Sequence, residues 1–207
     1  MNIISIGYLG FETAKIDEWR EYGPEVMGFQ IASSPESDPE SLYFKMDDRR
    51  HRMAFHPGEI ERVSYIGWET RNRLDFIDAV KTLEEHKVEY SVGDEQLCET
   101  RGVKELVRFR DPVGYQHELF YAQKWTPRSF TPGRPHGGFK CDERGVGHLV
   151  LMTPEFTPEL EHFLIEVMGM QWYGWGAGKG KTEFLRAKLN NQTSHDIAYG
   201  LAPGRMG

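Results

Sequence analysis

Positive charge is in short supply: 25 Lys and Arg stand against 32 Asp and Glu, a net charge of −7. That balance argues against a phosphate backbone as partner, so no nucleic-acid role is expected. The one basic cluster, Arg49-Arg50-His51-Arg52, is short and reads as a solvated strand end. Cysteine is scarcer still. Cys98 and Cys141 lie far apart and outside any C-x-x-C pattern, which signals neither a disulfide framework nor a zinc site and fits a reducing compartment. No apolar run approaches the ~20 residues of a membrane span, and Met1-Asn2-Ile3-Ile4-Ser5 lacks the basic start of a signal peptide. A cytoplasmic protein without a membrane partner is therefore expected. What is present is a core-forming composition: 39% hydrophobic and 13% aromatic in 207 residues, enough for one large domain or two smaller ones.

The chain repeats itself. Ser5-Ile6-Gly7-Tyr8-Leu9-Gly10-Phe11 lies over Gly145-Val146-Gly147-His148-Leu149-Val150-Leu151, and Val26-Met27-Gly28-Phe29-Gln30 over Val167-Met168-Gly169-Met170-Gln171. His51-Arg52-Met53-Ala54-Phe55 then matches His195-Asp196-Ile197-Ala198-Tyr199, and Pro57-Gly58 matches Pro203-Gly204. The order is kept while the spacing drifts by single insertions, as expected of two copies of one unit.

Each copy reads as a strand, a helix and further strands. In the later copy Thr157 caps a helix with Pro158 at its first position, Leu160, Phe163, Leu164 and Val167 form the apolar stripe, and Gly169 ends it. The earlier copy carries Ile16, Trp19 and Val26 on its helix, with Gly28 in the terminal place. A related unit fills residues 61 to 122, with Phe76, Ile77, Val80 and Leu83 on its helical face. Its last two strands flank the turn Asp111-Pro112-Val113-Gly114. Proline and glycine crowd residues 124 to 140, which predicts a linker. The expected class is α+β: two βαβββ modules in an N-terminal domain, 1–123, a linker, 124–140, and an incomplete C-terminal domain, 141–207.

These paired modules, the Gly-Val-Gly-His148-Leu-Val strand, the Ser194-His195-Asp-Ile-Ala-Tyr segment and the Pro132-Gly133-Arg134-Pro135-His136-Gly137 linker resemble the vicinal oxygen chelate (glyoxalase-like) superfamily. Within it the similarity is to type I extradiol catechol dioxygenases acting on 2,3-dihydroxybiphenyl and 1,2-dihydroxynaphthalene. The resemblance implies iron(II), with manganese(II) as the alternative metal, held by two histidines and a glutamate of the C-terminal domain. It also implies a catechol-type substrate and dioxygen, with a homo-oligomeric assembly expected. The first ligand carries over to His148 and an acid–base histidine to His195. The second histidine, at about position 211 by the repeat, and the glutamate are expected beyond Gly207. The 207 residues alone are accordingly expected to be inactive.

The chemistry asks for these residue types. A two-histidine, one-carboxylate face leaves adjacent positions open for both diol oxygens and dioxygen, and an imidazole can take a catechol proton near neutral pH. On a strand, His148 shares a face with Val150 and Met152. Such a histidine on its own reads as a core residue; the repeat and the resemblance turn that reading to a ligand. His195 alternates with Ile197 and Tyr199. In the first half Tyr8 stands at the place of His148, Tyr65 at that of the second ligand, and Glu118 at the third, so that domain is expected to be metal-free and His51 inert. The remaining histidines, 56, 86, 117, 136 and 162, lack ligand spacing.

The run from Gly174 to Thr182 has tryptophan where a phosphate loop needs its first glycine. It reads instead as a mobile loop at the substrate mouth, with Trp172, Tyr173 and Trp175 as candidate aromatic contacts. Two other functions fit the same modules: a metal-free protein that sequesters an aromatic ligand, and a glyoxalase or epimerase.

Overall fold

The computed structural model describes residues 1–142, 144–177, 183–189 and 196–202, with the side chains of 174–177, 183 and 184 left aside. Three modules follow one another. The first is β1 (Ile3–Thr13), α1 (Ile16–Tyr22), β2 (Gln30–Ala32), β3 (Leu42–Lys45) and β4 (Met53–Pro57). The second is β5 (Arg62–Thr70), α2 (Arg73–Glu85), β6 (Tyr90–Val92), α3 (Glu95–Arg101), β7 (Glu105–Arg110) and β8 (Gln116–Tyr121). The third is β9 (Leu149–Thr153), α4 (Pro158–His162), β10 (Gln171–Ala177), β11 (Glu183–Lys188) and β12 (Ile197–Leu201).

The sheets carry the repeat in their topology. Modules one and two merge into an eight-stranded sheet, β2-β3-β4-β1-β5-β8-β7-β6, and module three makes a four-stranded one, β10-β11-β12-β9. In every module the first and last strands run parallel side by side: β1 with β4, β5 with β8, β9 with β12. The helices repeat too. Both α1 and α4 continue into a five-residue π turn, Gly23–Met27 and Phe163–Val167, and the glycines beyond, Gly28 and Gly169, take the left-handed φ that ends such a helix. Thr157 caps α4 as expected, its hydroxyl accepting from the Leu160 amide at 3.2 Å, and Leu160, Phe163, Leu164 and Val167 are all buried.

Three expectations need correcting. Val26 is not on the buried stripe of its helix: the π turn rotates it outward, leaving it 49% exposed. Helix α3, capped by Asp94 and closed by a left-handed Gly102, interrupts the second module. The glycine-rich stretch is a strand rather than a loop as far as Ala177, because β11 pairs with it throughout; Gly178 to Thr182 lie outside the described residues.

A single core joins the modules: Ile66, Trp68, Phe76, Leu83 and Leu119 of the first sheet and its helix pack with Leu151, Leu160, Phe163, Leu185 and Tyr199 of the third module. The 124–140 stretch runs back over module one, where the Arg134 guanidinium donates to the Val26 carbonyl at 2.8 Å and Phe139 packs on Phe29.

Candidate functional site

The two tyrosines of the first sheet are placed by two glycines. In the antiparallel β1–β5 pair Tyr8 lies opposite Gly67 and Tyr65 opposite Gly10. A Cβ on either glycine would sit 2.2–2.3 Å from the facing ring, so each ring lies across the bare backbone of its partner. The rings thereby meet edge to face, 5.9 Å between centroids, and Glu118 of β8 completes the group by accepting from the Tyr8 hydroxyl at 2.7 Å. Three residues distant in sequence, each at a place where the repeat leads one to expect a ligand, converge on one point.

The charge at that point belongs to Arg101, from the end of α3. Its Nε lies 3.0 Å from Glu118 Oε2, its second amino nitrogen 3.2 Å from Oε1, and its guanidinium 3.6 Å above the Tyr65 ring. Burial works against the charge, but Tyr65, Glu118 and Tyr8 hold the guanidinium more firmly protonated than usual. Around it Tyr65 bonds His56 at 2.9 Å, and Asp38 accepts from Tyr43 at 2.6 Å. This cup is closed by its own side chains.

His51 lines it. Its ring is 5.6 Å from that of Tyr8 and 5.0 Å from that of Tyr43, fully buried, and neither ring nitrogen has a hydrogen-bond partner. Burial, followed by the nearby Arg101, pushes its pKa well below the ordinary histidine value, so it is neutral. Strict alternation with Met53 and Phe55 would have put His51 on the far face of the sheet. It enters the cup because β4 begins only at Met53, and the chain before it is anchored by Leu9 N–H donating to the Arg52 carbonyl at 2.9 Å.

The third module shows the corresponding face open. His148 immediately precedes β9 and is exposed, and Val150 and Met152, alternating with it, are 42% and 38% exposed, whereas Leu151 and Thr153 turn into the core. Beside Val150 and Met152 the register brings Ala198 and Gly200 of β12, both of them buried. Next to Ala198 stands Arg186 of β11, with its guanidinium 5.1 Å from the Tyr173 ring. A bulge in β10 between Trp172 and Gly174 lets Tyr173 reach it. Trp172, which pairs with Ala187, is 40% exposed, and the side chain of Trp175 lies outside those described.

His195 lies outside the described residues. The residue after it, Asp196, is described and repeats the anchor of the first module: Leu149 N–H donates to the Asp196 carbonyl at 3.0 Å, and Asp196 N–H to Ala187 O at 3.0 Å, as Arg52 N–H donates to Phe44 O at 2.8 Å. Arg186 and Arg101 escaped the sequence reading. Arg101 had a signal, since Asp94 and Gly102 frame a short capped helix; Arg186 had none. Among the described residues no group of three or more His, Cys, Asp or Glu is placed to hold a metal ion.

Residues 6–58 match the family model of the first domain of dihydroxybiphenyl dioxygenase BphC. The chain is 34% identical over 209 residues to an iron-dependent extradiol dioxygenase of Rhodococcus jostii, covering 96% of this chain and 68% of the relative. It is 30% identical over 204 residues to a biphenyl-2,3-diol 1,2-dioxygenase of Sphingomonas paucimobilis, with 97% and 68% covered. The solved structure of BphC, a halotolerant catechol dioxygenase, superposes with a TM-score of 0.88 at 33% identity over 97% of this chain and 65% of that one. A manganese-bound glyoxalase of Novosphingobium aromaticivorans, at 18% identity and TM-score 0.70, shares the fold. The chain thus spans about two thirds of the length of the relatives it matches. With its repeated βαβββ modules, it belongs to the extradiol catechol dioxygenases of the vicinal oxygen chelate superfamily.

Proposed function

We propose that this chain takes part in extradiol ring cleavage of a bicyclic or aryl-substituted catechol, both atoms of O2 entering the product, with His148 as a metal ligand and His195 as the acid–base residue. The family implies a catalytic metal, and iron(II) is our choice, with manganese(II) as the alternative. The observation that carries the reading is the repeated anchor. In the first module the bond from Leu9 to Arg52 goes with a His51 ring beside Tyr8; the matching bond from Leu149 to Asp196 argues for His195 beside His148. His148 is one ligand only, and the described residues do not complete a metal site; two further donors have to come from outside them.

When bound, the metal supplies a positive centre that holds the diol and lowers its proton affinity. The chain's own contribution is positional. His148 would hold the metal just before β9, on the side where Val150 and Met152 are exposed. Tyr173 and Arg186 offer an aromatic face and a cation at its far edge. His195, as a neutral imidazole, takes the catechol proton. A cytoplasmic, homo-oligomeric enzyme divided at the 124–140 stretch is part of the same proposal; no helix among the described residues is long and apolar enough to cross a membrane.

The test is turnover of 2,3-dihydroxybiphenyl and 1,2-dihydroxynaphthalene, followed by O2 uptake, in iron-loaded protein that includes the segment supplying the two further donors. There His195→Gln should keep catechol binding and lower kcat by ~10²–10⁴-fold. No uptake by that protein, or full activity in its His195 variant, contradicts the proposal.

A further inference from the structure

The turn that joins β7 to β8 belongs to the second module, yet it holds two strands of the third. Asp111 is almost fully buried and uses its two carboxylate oxygens differently. Oδ1 accepts from the backbone amides of Gly114 at 2.7 Å and Tyr115 at 2.9 Å, which fixes the turn itself. Oδ2 looks outward and accepts from the Tyr199 hydroxyl of β12 at 2.5 Å. Behind it, Trp68 donates its indole N–H to His117 Nδ1 at 2.8 Å; because an indole can only donate, the His117 proton must sit on Nε2, 3.2 Å from Asp111 Oδ2. Burial opposes the Asp111 charge, but the bonds from His117, Tyr199 and the Tyr115 amide outweigh it and lower its pKa. The carboxylate is thus an aimed, ionised acceptor.

Four residues on, Tyr115 grips the neighbouring strand. Its hydroxyl donates to the Met152 carbonyl at 2.9 Å and accepts from the Met152 amide at 3.2 Å, both on β9. Met152 lies four residues beyond His148, and Tyr199 four residues beyond His195. The two strands run parallel and in register, with Tyr199 opposite Leu151, and the Tyr115 and Tyr199 rings meet at 6.3 Å. One short turn therefore touches both site-bearing strands at the same distance from their proposed site residues.

We propose that the Asp111–Tyr115 turn is a positioning clamp: from the metal-free domain it fixes β9 and β12 relative to each other and so sets the placement of His148 against His195. The consequence for chemistry rests on the proposed function; the clamp itself does not. Asp111 and Tyr115 are positioning residues, acting through the strands, and they give the first domain a task in the work of the third module.

Two measurements on Tyr115→Phe, Tyr199→Phe and the double variant decide it. Phe44→Leu of β3, whose cluster with Phe29, Leu42 and Phe55 holds no residue of β9 or β12, serves as a variant that loses stability elsewhere. In hydrogen–deuterium exchange of the metal-free chain, the double variant should exchange ~10-fold faster in β9 and β12 while β3 is unchanged. In iron-loaded protein that includes the segment supplying the two further donors, its kcat should fall ~10-fold or more, with the catechol KM within about threefold and metal content kept. Phe44→Leu should keep its kcat at temperatures where it stays folded. Unchanged exchange in β9 and β12 overturns the clamp. Faster exchange with a kcat equal to that of Phe44→Leu overturns its link to catalysis. A wild type of that protein that cleaves no catechol removes the proposed function instead, and the exchange experiment still decides the clamp.

Discussion

The first module and the third are built alike and finished differently. Each sets its first strand parallel to its last, ties the residue after the key position to the carbonyl of the residue after a histidine, and covers the outer face with a helix ending in a π turn. In the first, the key position is Tyr8, and the cup is filled by two tyrosine rings and a buried Arg101–Glu118 pair. In the third it is His148, exposed just before β9. The cup of the first is filled largely from the second module, which brings Tyr65, Arg101 and Glu118 to the space beside Tyr8. There the Arg101 guanidinium supplies the positive charge opposite Glu118.

The largest effect should come from removing that cation. Arg101→Ala leaves Glu118 charged and buried without its partner, and breaking a pair of this kind costs ~3–5 kcal/mol; urea unfolding should show the loss, and a variant within 1 kcal/mol of wild type, on the order of a surface change, would mean that the closed cup is not held by this pair. Tyr8→Phe removes one charge-assisted bond to Glu118 and should cost about 1.5–3 kcal/mol by the same measurement.

A smaller effect concerns pH. His51 is kept neutral in the fold, while in the unfolded chain it titrates near 6.5. As pH falls below that value the unfolded chain binds a proton that the folded one refuses, so stability drops with acid. In His51→Phe the unfolding free energy between pH 7 and 5 should fall less steeply, by about 2 kcal/mol over the range. Parallel pH curves for the two proteins would remove His51 from this account.

The repeat, the capped helix after Thr157 and the βαβββ order were legible because they rest on local signals: a cap, an apolar stripe, a glycine with positive φ. Val26 misled because a π turn shifts the helical phase by a residue, and periodicity assumes an unbroken α-helix. The Gly174 stretch misled because glycine marks loops, while here a bulged strand carries it. His51 showed the limit of strand alternation, which fails where the strand has not yet begun. For Arg101 only its capped helix could be read, not its pairing with Glu118, and the Asp111–Tyr199 bond could not be read at all, since each contact depends on residues that only tertiary packing brings together.

The central claim is that metal belongs to the open face of His148 and not to the closed cup. Iron per chain, measured on anaerobically loaded protein that includes the segment supplying the two further donors, for wild type, His148→Ala and Glu118→Gln, tests it most directly. The account predicts that Glu118→Gln keeps the wild-type iron content and His148→Ala loses it. Iron retained in His148→Ala, or lost in a folded Glu118→Gln, would contradict it.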